Sequence, residues 1–271
     1  MAAKLSIVLV GAGAMGGALL RGWLEKGIID PRRSMVVDPA PLGDAAAAAA
    51  RAGLPIAPRP SQTVADALVV AVKPQSAAAA LADLAPFAAR ALVLSVMAGQ
   101  TIASLRAALP PDAEIVRAMP NLPAAVGMGV TALHAPIGVA SERRAVAARL
   151  MGAVGATIWL DDERDIDAAT AISGSGPAYF FLLGAALSDA GAALGLPAEA
   201  AAKLARLTLI GAGAYARQSE GSLESMIAQV ASPGGTTAAA LSVLDGDEKQ
   251  LRTLVKRAAA AAARRASELS G

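Results

Sequence analysis

The sequence predicts an α/β protein: a doubly wound, mostly parallel sheet over residues 1–161, followed by an all-helical domain over residues 162–271. Three observations predict it. Short apolar runs alternate with helix-forming runs from Leu5 to Leu160, the pattern of a sheet covered by helices on both faces. Strand-like runs stop at Asp162, and runs rich in Ala, Gly and Ser take over. The first apolar run ends in Gly11-Ala12-Gly13-Ala14-Met15-Gly16, the G-x-G-x-x-G spacing of a strand-to-helix turn that binds a dinucleotide.

Each element of the first half has its own signal. Leu5–Val10 is nearly all apolar and reads as the first strand. Gly11 permits a tight turn, Gly13 lets backbone N–H groups approach a pyrophosphate, and Gly16 lets the helix lie close to the strand. The following helix runs to about Lys26, with Gly27 as its cap. Ser34–Val37 is a second strand ending at Asp38, the position where an acidic side chain takes the adenosine ribose hydroxyls. That carboxylate favours NAD(H), whereas Arg32, Arg33, Arg51 and Arg59 nearby leave NADP(H) open; Asp38 is also a turn-former before Pro39. Asp44–Ala52 is helical through its alanines. Ala67–Val72 is a fully apolar, central strand, and Ser76–Leu84 a helix. Ala91–Val96, Glu114–Ala118, Val126–Leu133 and Thr157–Leu160 read as further strands, with helices over Ile102–Leu109 and Ser141–Met151. Three polar stretches, Lys73-Pro74-Gln75, Ala98-Gly99-Gln100 and Asn121-Leu122-Pro123, all follow strand ends, the edge where open α/β sheets bind ligands.

The second half reads as helices over Asp162–Ile172, Pro177–Leu194, Pro197–Gln218, Ser222–Val230, Thr236–Leu244 and Asp247–Leu269. Gly195 and Pro197 mark a stop and a start. Small residues permit close helix packing. With so few large side chains, this half is expected to complete its core in a homodimer.

Composition narrows the function. A formal charge of +2 and the lack of any basic run interleaved with aromatics speak against nucleic-acid binding. The chain has no cysteine, which removes disulfides, thiolate metal sites and cysteine nucleophiles and fits a reducing cytoplasm. The lone histidine, His134, reads as a surface or loop residue, and no metal site is expected. The apolar start is too short for a signal-peptide core. Ala168–Leu187 is apolar enough to raise a membrane span, but Gly174, Gly176, Pro177 and the closing Asp189 make it a buried or interface helix. Asp161-Asp162-Glu163 reads as an exposed helix start rather than an acid–base pair.

The most informative segment of the second half is Ser232-Pro233-Gly234-Gly235-Thr236-Thr237. Two glycines and two threonines opening a helix form an anion-binding concavity; an ordinary capped helix start uses the same ingredients. Taken with Gly11–Gly16, Ala71–Gln75, Met119–Pro123, Ser173-Gly174-Ser175-Gly176-Pro177-Ala178-Tyr179 and Leu241–Leu244, in order along nearly the whole chain, it resembles the pyrroline-5-carboxylate reductase family. That resemblance implies a Rossmann domain with a helical dimerisation domain. It implies hydride transfer from NADPH or NADH to the C=N carbon of 1-pyrroline-5-carboxylate, giving L-proline.

By resemblance, the N–H groups of Gly235, Thr236 and Thr237 hold the substrate carboxylate, with Ser232 and Gly234 shaping the loop. Thr237 Oγ1 sits by the ring nitrogen as hydrogen-bond partner or proton relay. Ala98 and Asn121 lie by the nicotinamide. Ala71, Lys73 and Pro74 run along the cofactor's middle, and Ser173 to Pro177, with Ser175, begin the helix facing it. Two rivals remain. A hydroxyacid dehydrogenase of the same architecture needs a lysine on the helix Pro177–Leu194, which has none. A non-catalytic dinucleotide-binding regulatory protein would have no evident use for the intact threonine loop.

Overall fold

The structure is a computed structural model and describes residues 3–61 and 65–270. Its elements run β1 (Ile7–Val10), α1 (Ala14–Glu25), β2 (Met35–Val37), α2 (Gly43–Ala52), β3 (Ile56–Ala57), β4 (Ala67–Val70), α3 (Ala77–Ala88), β5 (Leu92–Ser95), α4 (Ile102–Ala107), β6 (Glu114–Met119), β7 (Gly129–His134), α5 (Ser141–Gly152), β8 (Gly155–Trp159) and α6 (Asp165–Ala169). The helices α7 (Gly176–Ala193), α8 (Ala198–Gln218), α9 (Leu223–Val230), α10 (Thr236–Asp245) and α11 (Gln250–Ser270) follow.

The eight strands form one sheet in the order β3-β2-β1-β4-β5-β6-β7-β8. All neighbours are parallel except β6 and β7. The period of two along each strand sends alternate side chains to opposite faces. Ile7 and Leu9 join one core with Leu19, Leu20 and Trp23 of α1 and Leu150 of α5. Val8 and Val10 join the other with Leu81 and Leu84 of α3 and Ile102 and Leu105 of α4. The central strands β1 and β4 are therefore apolar at every position, whereas the edge strand β8 exposes Ala156 and Ile158. Trp23 has no exposed surface, and its Nε1–H donates to the Leu150 carbonyl at 2.8 Å, pinning α1 to α5. Burying such a side chain contributes about 1.5–3 kcal/mol.

Two elements differ from the sequence expectation. β3 is a two-residue strand between Pro55 and Pro58, too short for any periodic signal. The expected strand start at Val126 is instead the end of a 3₁₀ turn, Leu122–Val126. Pro120 and Pro123 lack the N–H groups a ladder needs, so pairing resumes only at Gly129.

The chain divides into two compact units, one running to Ser175 and regaining the chain from Ala262, the other spanning Gly176–Ala261. The compact sheet unit thus includes residues 162–175, which the sequence reads as the start of the helical half. Residues 162–175 stay with the sheet because Ile166 is fully buried there and because side chains of β6 and the following loop grip them, as described below. The chain's last turns belong to this unit too: a Cβ on Gly99 would stand 2.6 Å from the Leu269 carbonyl oxygen. Both tryptophans lie in the sheet unit, and both tyrosines, Tyr179 and Tyr215, in the helical one.

In the helical unit, α7 and α8 lie side by side, with Gly191 against Ala201. Large apolar side chains of this unit are exposed in the single chain, among them Phe180 at 61%, Leu182 at 71% and Leu194 at 86%. The helical run Asp165–Ala193 is long and apolar enough, by length and composition, to cross a membrane. Its continuity is broken by a π turn at Thr170–Gly174.

Candidate functional site

The strand order reverses between β1 and β4, and the loops that follow these two strands meet there. Such a switch point is where open α/β sheets bind ligands. Gly11 has φ +93°, and a Cβ on it would stand 2.7 Å from the Ala71 carbonyl oxygen. A Cβ on Gly16 would collide with the Gly11 carbonyl. Both glycines are therefore required by packing. Gly13 is different: a Cβ there would meet no protein atom within 4 Å. The space beside it is open, at the start of a helix that no side chain caps. Ala14 is exposed and Met15 half-buried at the same mouth. Unpaired N–H groups and the positive end of α1 suit a pyrophosphate there, so the loop fits the group its spacing implies.

Asp38 closes one side of this loop. One carboxylate oxygen accepts the N–H of Ala12 at 2.6 Å, the other that of Ala40 at 2.8 Å. Each oxygen retains a second lone pair for a ribose hydroxyl. Of the cations near it in sequence, Arg32, Arg33 and Arg59 are exposed. On the β4 side, Ala71 N–H donates to Val10 at 2.8 Å, while Lys73 and Pro74 are exposed and lead into a 3₁₀ turn, Pro74–Ser76. Ala98 is exposed after β5.

Asn121 is 8% exposed, and both ends of its amide are engaged by the protein. Its Oδ1 accepts the N–H of Val130 at 2.9 Å. Its Nδ2 donates to the carbonyl of Ser173 at 3.0 Å. Ser173 lies in the π turn, and its hydroxyl donates to Ala169 at 2.9 Å. Ser175 N–H donates to Thr170 at 2.8 Å. Asn121 and Ser173 are thus brought together, 52 residues apart in sequence.

In the helical unit, Ser232-Pro233-Gly234-Gly235 forms a turn, with Gly234 at φ +73° and Gly235 N–H donating to Ser232 at 3.0 Å. α10 begins at Thr236, and no side chain caps its N-terminus. The first N–H groups of a helix have no intrahelical acceptor, so those of Thr236 and Thr237 are placed for an anion. Thr236 is exposed and Thr237 half-buried.

Comparison with known proteins matches both units. A family model described as pyrroline-5-carboxylate reductase dimerisation covers residues 163–269. Another, described as NADP oxidoreductase, coenzyme F420-dependent, covers residues 6–99. A pyrroline-5-carboxylate reductase from Pseudomonas aeruginosa is 38% identical over 267 residues, spanning 97% of this chain and 96% of its own. The chain belongs to the pyrroline-5-carboxylate reductase family. The solved pyrroline-5-carboxylate reductase of Coxiella burnetii is 35% identical, with a TM-score of 0.91 over 99% of this chain and all of its own. That of Plasmodium falciparum, solved with NADP bound, is 28% identical, with a TM-score of 0.81 over 98% of each chain.

Within this reductase fold, sequence reasoning missed Arg117. It is 4% exposed in β6, and its guanidinium bonds Glu163 at 3.1 Å and Asp167 at 3.4 Å. Its signal was an arginine inside an otherwise apolar strand. Glu163 also accepts the N–H of Ile102 at 2.8 Å. The Asp161–Glu163 cluster is therefore more than a solvated helix start. Asp162 is half-buried and paired with Arg164; hydrogen bonds from the Arg164 side chain and N–H hold its carboxyl down at about 2. His134 ends β7 rather than lying in a loop, half-buried, with Nδ1 3.0 Å from the Leu160 carbonyl. Among the described residues, no group of three or more His, Cys, Asp or Glu side chains is arranged to hold a metal ion.

Proposed function

We infer that this chain reduces 1-pyrroline-5-carboxylate to L-proline with NAD(P)H, as a homo-oligomer. Family membership over nearly the full length supports the reaction. The observation that carries it locally is the uncapped start of α10, where two threonines follow a glycine turn with no charged side chain between Ser232 and Thr237. A small carboxylate is held by backbone N–H groups there, and Thr237 keeps a hydroxyl free to meet a ring nitrogen.

When bound, the dinucleotide supplies a hydride, which together with one proton converts the C=N bond to CH–NH. The loop at Gly13 and the start of α1 hold the pyrophosphate. Asp38 accepts the ribose hydroxyls, and Lys73 and Pro74 flank the middle of the cofactor beside Ala71. Ala98, Asn121, Ser173 and Ser175 border the nicotinamide; Asn121, with both amide ends tied to the protein, shapes that wall. Gly235, Thr236 and Thr237 bind and orient the substrate carboxylate, with Ser232 and Gly234 setting the turn. Thr237 Oγ1 holds the ring nitrogen's proton in line. A protonated imine is already electrophilic, so no strong acid is required of the protein.

The exposed apolar side chains of the helical unit form the subunit interface. This reading is supported by the dimerisation model that covers them, and it explains the apolar run Asp165–Ala193 as a contact face rather than a membrane span. A cysteine-free chain of this kind works in the cytoplasm.

The test is the initial rate of NADH and of NADPH oxidation with 1-pyrroline-5-carboxylate. Turnover with either establishes the reaction, and the ratio of the two kcat/KM values assigns the cofactor. Binding of both without turnover would point to the regulatory reading instead.

A further inference from the structure

We propose that Arg117 and Glu163 are positioning residues for hydride transfer: together with Asn121 they fix the turn Thr170–Ser175 against the strand end that borders the nicotinamide. The proposal rests on the reading of Asn121 and Ser173 as nicotinamide neighbours.

The end of β6 carries two tethers, four residues apart, to one downstream segment. Arg117 grips that segment at its start, through Glu163 and Asp167. Asn121 grips it at its end, through the carbonyl of Ser173. Between the two grips α6 changes into the π turn Thr170–Gly174. A π turn adds a residue to the helical circuit and is a common device at functional sites. It is also less well bonded than α-helix, and its stance depends on what holds its ends.

Glu163 has a second duty. Its Oε1 receives both the Arg117 guanidinium and the N–H of Ile102, the first residue of α4. α4 follows directly on the loop Met97–Thr101, which carries Ala98. One carboxylate oxygen therefore ties the loop after β5, the arginine of β6 and the start of α6 to one point. Both segments assigned to the nicotinamide, the loop carrying Ala98 and the turn carrying Ser173–Ser175, trace back to it.

The arginine type matters. Its planar fork reaches two carboxylates on different turns, which a lysine ammonium cannot do with the same geometry. At 4% exposure the guanidinium is shielded from competing water, so the arrangement is rigid rather than a fluctuating surface pair. None of these groups need touch substrate. They act by placing groups that do, and misplacement of about 1 Å is enough to slow a chemical step a hundredfold.

The experiment compares Glu163→Gln and Arg117→Lys with the wild-type enzyme. Glu163→Gln keeps an acceptor for Ile102 but removes the charge that holds Arg117, and serves if Arg117→Lys folds poorly. The expected result is a fall in kcat of about ten- to a hundredfold, with KM for 1-pyrroline-5-carboxylate and Kd for NAD(P)H within threefold. The primary isotope effect with 4-deuterated cofactor should rise, since hydride transfer becomes limiting. A folded Glu163→Gln enzyme with wild-type kcat overturns the proposal, as does a loss of kcat that only matches a loss of folded protein. If the wild type fails to reduce the substrate, the functional reading fails instead. Amide exchange at Thr170–Ser175 then decides the matter without substrate: it quickens in Glu163→Gln if the tether is real, and stays unchanged if it is not.

Discussion

The backbone N–H of Ala12 donates to the Asp38 carboxylate across 2.6 Å, so the acid proposed to hold the ribose also braces the glycine loop. Replacing it therefore changes two things. Asp38→Ala should weaken NADH and NADPH alike, by about ten- to a hundredfold, the worth of a hydrogen bond to a charged acceptor. Asp38→Asn keeps one acceptor oxygen and removes the charge, so the preference should shift toward NADPH. Fluorescence titration with each cofactor, alongside the ratio of kcat/KM values, checks both. A variant that loses NADH alone would show that the brace is dispensable.

Gly11 and Gly13 should respond differently to the same added methyl group. Gly11→Ala forces a left-handed residue against the Ala71 carbonyl and should cost at least about 1–3 kcal/mol of stability. Gly13→Ala meets no protein atom, at φ −70°. It should leave the thermal midpoint nearly unchanged while cofactor affinity falls. Calorimetry with and without NAD(P)H separates the two; an unchanged Kd in Gly13→Ala would put the pyrophosphate elsewhere.

Thr237→Ala removes a hydroxyl without disturbing the helix start, since the Thr237 backbone N–H remains. Turnover should drop by about ten- to a hundredfold, as loss of one oriented hydrogen bond of roughly 1–3 kcal/mol implies. Thr237→Ser should recover most of it. Steady-state kinetics that leave kcat/KM untouched would remove Thr237 from the reaction.

The helical unit exposes Phe180, Phe181, Leu182 and Leu194, more apolar surface than a stable monomer leaves in water. Light scattering at micromolar concentration should give at least a dimer, and the thermal midpoint should rise with protein concentration. Phe181→Asp should lower that midpoint and its concentration dependence together. A wild-type monomer would contradict the assignment of this face.

Much of the fold was legible because its signals are local. Continuous apolar runs mark the central parallel strands, and glycine spacing marks the first loop. The strand order, by contrast, follows from pairing between runs whose composition is interchangeable: β1, β4 and β5 are all short apolar segments, and nothing in Ala67–Val70 names Ile7–Val10 as its partner. The packing of residues 162–175 is hidden in the sequence for a related reason. Residues 162–175 have helical composition, and it is Arg117, 46 residues upstream of Glu163, that assigns them to the sheet. Of the residues proposed to bind ligands, those in the two glycine-containing loops announce themselves by residue type. The tethers of Asn121 do not, since an amide's partners are set by the fold and not by its neighbours in sequence.

The distribution of the aromatic side chains gives the molecule two separate optical reporters. Trp23, sealed between α1 and α5, and Trp159, stacked beneath the Arg144 guanidinium at 4.3 Å, both emit from the nucleotide-binding unit. The helical unit contains tyrosines and phenylalanines but no tryptophan. Tryptophan emission therefore follows the melting of the sheet unit alone, while far-ultraviolet circular dichroism follows the helices of both units. If the two signals part company in a denaturant titration, unfolding is not two-state, and the native chain itself, with no label attached, reveals which half yields first.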